Sequence, residues 1–316
     1  MPASITARRR RLFFLSVLII PLVIFWAWPR LTSDPGSSQK LQVMTTILPL
    51  QEFARAVCGE KGQVKLLIPP GVDIHSWSPR PSDIHRLARA DCLVYIGRDL
   101  EPWVEGVTKS LSSSKLRLVE AARVIYNQKE LSFPGSSFSH QKDPHLWLDL
   151  EIDCRIIDLL VAVFSELRPQ EASFFQKNGE IYKAELENLD KLYQATLKNC
   201  RLRTFVVGGH AAYGWLARRY GLTQLALTGV NPDAQPSSRS FMKVIERMKK
   251  EKITVVFVEP FSSERMARAL ARETRAEVVT LNPGVFLPPE KKDKPGVFLS
   301  IMKENLEKLK YALGCH

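Results

Sequence analysis

The sequence predicts an α/β protein of two lobes, each built on mainly parallel strands, joined by one long backbone helix. Three observations carry this. Short β-branched runs alternate with helical stretches from residue 43 to about 120, and again from 204 to the C-terminus; strands separated by helices pair in parallel. Between the two series, residues 170–198 hold a helical period, with Phe175, Tyr182, Leu186, Leu189 and Tyr193 at steps of seven, four, three and four. At 1.5 Å per residue that helix is roughly 40 Å long, enough to run the length of a domain. The chain also has 316 residues, of which 45% are hydrophobic and 25% charged, which suits two folded domains.

Taken in order, Val43–Leu48 is an apolar, β-branched run and reads as a strand, and Gln51–Cys58 as a helix. Val64–Ile68 is a second strand, closed by Pro69-Pro70-Gly71. Ser82 is placed to cap a helix through Ala90, with Ile84, Leu87 and Ala88 on its inner face. Cys92–Ile96 and Leu116–Val119 read as the next strands. Phe133–Ser139 is a loop, and helical periodicity returns over Glu151–Leu167. After the long helix come a strand (Thr204–Val207), a helix ended by Gly221 (Ala211–Tyr220) and a strand (Gln224–Leu227). A helix (Phe241–Lys250), a strand (Ile253–Val258), a helix (Ser263–Arg272), a strand (Glu277–Leu281) and a terminal helix (Gly296–Leu313) follow. No internal repeat of fixed period is present.

The first residues read as an address. Arg8 to Arg11 precede an apolar run from Leu12 to Trp28, broken only by Ser16 and Pro21. A basic cluster before an apolar stretch marks an export signal or an N-terminal anchor. The exit, Trp26-Ala27-Trp28-Pro29-Arg30, lacks a small-x-small cleavage site, which favours an uncleaved anchor over a cleaved peptide. No cysteine follows closely enough to carry a lipid. Either way the remainder lies outside the cytoplasmic membrane, in the periplasm or on the membrane's outer face. Residues 31–40 form a polar tether. Removing Arg8–Arg11 and Arg30 from the net charge of +12 leaves about +7, which weakens a nucleic-acid reading.

Ligands in parallel sheets bind outside the carboxyl ends of the strands. His75 lies in the loop after Val64–Ile68, His210 follows Thr204–Val207 by two glycines, Glu259 directly follows Ile253–Val258, and Asn282 follows Glu277–Leu281. His145 lies in the loop before the helix at 151. A lone loop histidine is more often solvated or structural. Three of them on loops at one side of the sheets point to a metal site, since imidazole is a good zinc ligand and three leave a fourth position open. His85, between basic neighbours on a helix, reads as solvated; His140 is at most an auxiliary ligand; His316 is terminal. No Walker phosphate loop, HExxH, CxxC or nucleophile elbow is present. Trp77, Trp103, Trp147 and Trp215 read as core or cleft packing. Of Cys58, Cys92, Cys154, Cys200 and Cys315, buried free thiols are the default, with Cys200–Cys315 the candidate bridge outside the cytoplasm.

These residues carry a resemblance. Pro70 to Asp83, containing Asp73-Ile74-His75-Ser76-Trp77, resembles the first metal-ligand motif of the solute-binding proteins of zinc and manganese ABC importers. Asp143-Pro144-His145-Leu146-Trp147-Leu148-Asp149 is similar to their second motif. Gly209-His210-Ala211-Ala212-Tyr213-Gly214-Trp215, continued by Tyr220-Gly221-Leu222, is similar to their third. Val258-Glu259-Pro260 and Thr280-Leu281-Asn282-Pro283 are similar to two later segments. The resemblance runs from about residue 42 to 313. It implies two lobes of four-stranded sheet, a linking helix, and a metal between the lobes. On that basis residues 41–168 form an N-terminal metal-binding lobe, 169–199 the linking helix and 200–316 a C-terminal metal-binding lobe.

The family's third ligand position carries His in zinc-type members and Glu in many manganese-type ones, so His210 points to Zn2+ as transported ligand, with Mn2+ or Fe as alternatives. Two departures stand out. Asn282 occupies a position that is Asp in many relatives, and Gln235 one that is often Glu. Three neutral histidines and an amide leave the ion's charge uncompensated. The expectation is therefore that Glu259 or a bound water completes the tetrahedron, with Asn282 a weak ligand or hydrogen-bond partner. The implied function is capture of a divalent metal and delivery to an ABC permease, by a monomer without catalysis or nucleic-acid binding. The competing readings are a zinc hydrolase with Glu259 as base and an envelope adhesin on the same scaffold.

Overall fold

A computed structural model describes residues 40–111, 115–125, 143–260, 264–287 and 294–316. The N-terminal signal or anchor, His140 and the loop Phe133–Ser139 lie outside them. Residues from Lys40 onward form one packed unit. Its elements run β1 (Leu41–Thr45), α1 (Leu48–Cys58), β2 (Gly62–Leu66), α2 (Pro81–Leu87), β3 (Cys92–Tyr95), α3 (Trp103–Ser110), β4 (Arg117–Glu120), α4 (Leu150–Leu167) and α5 (Ala172–Leu197). Then come β5 (Thr204–Val207), α6 (Gly214–Arg219), β6 (Thr223–Ala226), α7 (Ser238–Glu251), β7 (Val255–Val258), α8 (Arg265–Thr274), β8 (Glu277–Thr280) and α9 (Val297–Leu313).

The strands form two four-stranded sheets, ordered β2-β1-β3-β4 and β6-β5-β7-β8, and every pairing is parallel. Each sheet heads one lobe. The central strands β3, β5 and β7 are buried at every position, as expected where helices cover both faces of a parallel sheet. α5 links the lobes. At 26 residues it is about 39 Å long, and Phe175, Tyr182, Leu186, Leu189 and Tyr193 are all buried along one stripe. Gly179 lets α4 and α5 touch: a Cβ there would lie 2.5 Å from Val161 Cγ2. One continuous apolar core runs through both lobes, from Leu41 to Leu313.

Several boundaries differ from the sequence reading. The run Val43–Leu48 does not stay extended: the strand ends at Thr45, and Leu48 opens α1 with Pro49 in its first turn, where the missing N–H costs nothing. Ser82 is not the cap of α2. Arg80 takes that place with Pro81 next, and the Asp83 carboxylate accepts from Arg80 N at 2.9 Å. Ala88 is exposed rather than inward. α6 begins at Gly214, three residues later than its periodicity suggests, because His210–Tyr213 is held as a loop by Ala211 N donating to Gly229 O and Tyr213 N to Gln224 Oε1. α3 had no counterpart in the sequence reading. It is short, and its apolar side packs on a second small core with Leu67, Leu93 and Tyr95. Cys200 and Cys315 form the disulfide that their placement suggested, tying the start of the second lobe to the chain's end. Cys58 and Cys92 are buried free thiols, and Cys154 is half-buried; burial pushes Cys58 and Cys154 up to about 12, so neither offers a ready thiolate.

Candidate metal centre

The three histidines meet in the cleft between the lobes. His75 comes from the loop after β2, His145 from the segment before α4, and His210 from the loop after β5. Their candidate ligand atoms all lie within 4.8 Å of one another. His145 Nε2 stands 3.3 Å from His75 Nε2 and 3.3 Å from His210 Nε2. Two nitrogens each about 2.0–2.1 Å from a tetrahedral zinc ion would be about 3.3–3.4 Å apart. Both separations match that distance.

Local chemistry builds each corner. In Asp73-Ile74-His75 the Asp73 carboxylate accepts from His75 N at 2.8 Å, and in Asp143-Pro144-His145 the Asp143 carboxylate accepts from His145 N at 2.9 Å. Both are Asx turns, which present the imidazole at the turn's tip. Gly208 is required before His210, since a Cβ there would lie 2.7 Å from Ala267 Cα in α8.

The outer nitrogens are held as well. His145 Nδ1–H donates to Asp143 Oδ1 at 2.7 Å, and His210 Nδ1–H donates to Glu259 Oε1 at 2.9 Å. A carboxylate can only accept, so both rings carry their proton on Nδ1 and aim the Nε2 lone pair inward. His145 and His210 are buried, at 1% and 8% exposure, while His75 is half-buried. Burial and the neighbouring rings of His145 and His210 lower the His75 pKa to about 2. At His210 burial also pulls downward, but the hydrogen bond and charge of Glu259, helped by Asp143 and Asp73, hold the group above its usual value. A cavity of about 160 Å³ adjoins the rings, lined also by Asp73, Trp147, Pro232 and Phe286.

The structure therefore brings together His75, His145, His210 and Glu259, with Glu259 placed behind His210. Asn282 stands apart. Its Oδ1 accepts from Gly284 N at 2.9 Å and its Nδ2 donates to Phe286 O at 2.8 Å. Its backbone is clasped by Asn305, whose Oδ1 accepts from Asn282 N and whose Nδ2 donates to Asn282 O. It does not line the cavity; Pro283 and Val285 do. Gln235 is exposed and outside the lining. Asp73 and Asp143 were not singled out from the sequence; the signal was the repeated Asp-x-His spacing. The tryptophans do pack core and cleft: Trp147 and Trp215 are buried, and Trp77 and Trp103 meet edge to face at 5.2 Å.

Fold and site together define a two-lobed binding protein with a stiff helical linker and three imidazoles converging in its cleft. Residues 43–312 match the family described as "Zinc-uptake complex component A periplasmic", and the chain belongs to that family. It is 34% identical to the high-affinity zinc uptake system protein ZnuA of Bacillus subtilis, over 89% of this chain and 90% of that one. It is 31% identical to the zinc-binding protein AdcA of Streptococcus pyogenes serotype M6, covering 93% of this chain but 60% of AdcA. Among solved structures, the Zn(II)-bound ZnuA-like domain of Streptococcus pneumoniae AdcA is similar with a TM-score of 0.73 at 31% identity, over 87% of this chain and 99% of that one. The laminin binding protein Lmb of Streptococcus agalactiae, described as bifunctional with adhesin and metal transporting activity, is similar with a TM-score of 0.77 at 28% identity, over 87% and 100%. The family is one of metal-binding transport components rather than enzymes.

Proposed function

We propose that this protein captures one zinc ion on His75, His145 and His210 outside the cytoplasmic membrane and hands it to an ABC permease. The observation that carries the reading is the convergence of three imidazoles within 4.8 Å, with His145 Nε2 3.3 Å from Nε2 of each of the other two, the separation of two ligands on a tetrahedral zinc ion. Asp143 and Glu259, each one hydrogen bond behind a ligand, supply the two negative charges that three neutral imidazoles lack. Glu259 thus acts through His210 rather than as the fourth ligand, and the fourth position faces the cavity, where water fits. Asn282 shapes the loop that closes the cavity's far wall. The protein works as a monomer, catalyses no reaction and binds no nucleic acid.

The test is elemental analysis of the full chain purified without added metal, beside the His210→Ala variant. One equivalent of zinc, lost in the variant, is expected. Stoichiometric manganese or iron would overturn the choice of metal. The likeness to Lmb, described as an adhesin, favours a second reading as an envelope adhesin. Direct binding of immobilised laminin by the purified chain, absent with an unrelated protein, would support it.

A further inference from the structure

Each lobe reaches across the cleft with one buried indole. Trp215, on α6 of the second lobe, donates its Nε1–H to Asp143 O of the first at 2.9 Å. Trp147, in the first lobe, donates its Nε1–H to Pro283 O of the second at 2.7 Å. The two bonds run in opposite directions across the same cleft. Both indoles are under 3% exposed. Each grips a carbonyl beside the metal centre: Asp143 also holds His145 Nδ1, and Pro283 follows Asn282 and lines the cavity.

We propose that these crossed indole hydrogen bonds are a latch that sets how long the cleft retains its metal. The inference rests on the zinc-binding reading above. Both bonds must break for the lobes to part, and a buried donor left without a partner costs more than the bond itself. α6 is further pinned on the first-lobe side of the linker. Arg218 pairs with Asp149 at 3.5 Å, and Arg219 pairs with Asp190 of α5 at 2.6 Å and with Asp149 at 3.4 Å. The latch is already closed around the three imidazoles, so the metal enters and leaves only when the latch opens. Trp147 and Trp215 are positioning residues: they touch the ligand-bearing loops, not the ion.

The experiment compares Trp147→Phe, Trp215→Phe and the double variant with wild type. Phenylalanine keeps an aromatic ring and removes the donor. Zinc-loaded full chain in detergent is mixed with excess chelator and release is followed by stopped flow. Loss of each N–H should speed release about three- to tenfold, with the double variant less than the product of the two, because the bonds form one unit. Tyr193→Phe is the control. It removes a hydroxyl that donates to Met302 O, joining α5 to α9 and bonded to neither indole, and should lower the melting temperature without speeding release. Hydrogen exchange of the zinc-free chain gives a second readout: residues 143–149 and 281–287 should exchange faster in the tryptophan variants than in wild type, while α5 does not. Wild-type release and exchange in both tryptophan variants, or equal acceleration in Tyr193→Phe, would overturn the latch. A wild-type chain that takes up no stoichiometric zinc would instead sink the metal-binding reading, and the latch with it.

Discussion

Replacing Glu259 by glutamine separates the two roles that a carboxylate beside His210 can have. As a ligand, Glu259 would leave the zinc short of a donor and a charge, and most of the affinity would go with it. As the acceptor from His210 Nδ1–H at 2.9 Å, it fixes the ring and makes Nε2 a better donor. Losses of that kind are about 10- to 100-fold in metal affinity, or about 1.4–2.7 kcal/mol. The pH dependence sharpens the test. Burial lowers His210, but Glu259 more than offsets it, so the group sits above its usual value. The protonated His210–Glu259 pair stabilises the metal-free fold fully below the unfolded histidine pKa, and this is lost as pH rises through the raised folded pKa. Zinc must displace that proton, so wild-type affinity falls on the acid side of the raised value. Glutamine removes the upward push, and proton competition then starts at lower pH. Competition against a fluorescent chelator should show the wild-type advantage largest above the raised His210 pKa and shrinking as pH falls below it. A loss under about threefold, a loss beyond about 10⁴-fold, or a ratio independent of pH would refute the reasoning.

Three further outcomes follow from named groups. Asn282→Ala should cost about 1–2 kcal/mol of stability in a urea melt, because it removes the side-chain hydrogen bonds to Gly284 N and Phe286 O; zinc affinity should change only a few-fold in the same chelator competition. Glu101 is fully buried, and burial, against the hydrogen bonds of Gly97, Thr46 and Ile96, pushes its pKa up from 4.5 to about 7. Its contribution is fully present below the unfolded value and lost as pH rises to the folded one, so stability should fall by up to about 3 kcal/mol across that window, and Glu101→Gln should flatten the slope. Breaking Cys200–Cys315, which closes a separation of 115 residues, should lower stability by about 4–5 kcal/mol on chain-entropy grounds, read from denaturant midpoints of the Cys200→Ser, Cys315→Ser double variant.

Much of this architecture was legible in the sequence because the signals were local. The β-branched runs and the buried stripe of α5 needed no partner to be read. The three histidines were legible because chain order places each just past a strand end or ahead of a helix. What escaped needed the third dimension. α3 is too short to show a period. At α2, Pro81 and the back-reaching Asp83 outweigh Ser82, which competes for the same turn. Glu259 lies forty-nine positions from the ring it holds, and no spacing rule says that it will face that ring's outer nitrogen; for Asp143 the Asp-x-His spacing was the one local sign. For Asn282 the substitution was visible in sequence, but its consequence was not: the amide is spent on Gly284 and Phe286, and the charge expected there is supplied behind two of the imidazoles.

The most direct measurement is a zinc K-edge absorption spectrum of the full chain carrying one equivalent of metal. Three imidazole shells at about 2.0 Å and one lighter oxygen scatterer are expected. A sulfur shell at about 2.3 Å, or fewer than three imidazoles, would place the ion elsewhere and contradict the assignment of His75, His145 and His210.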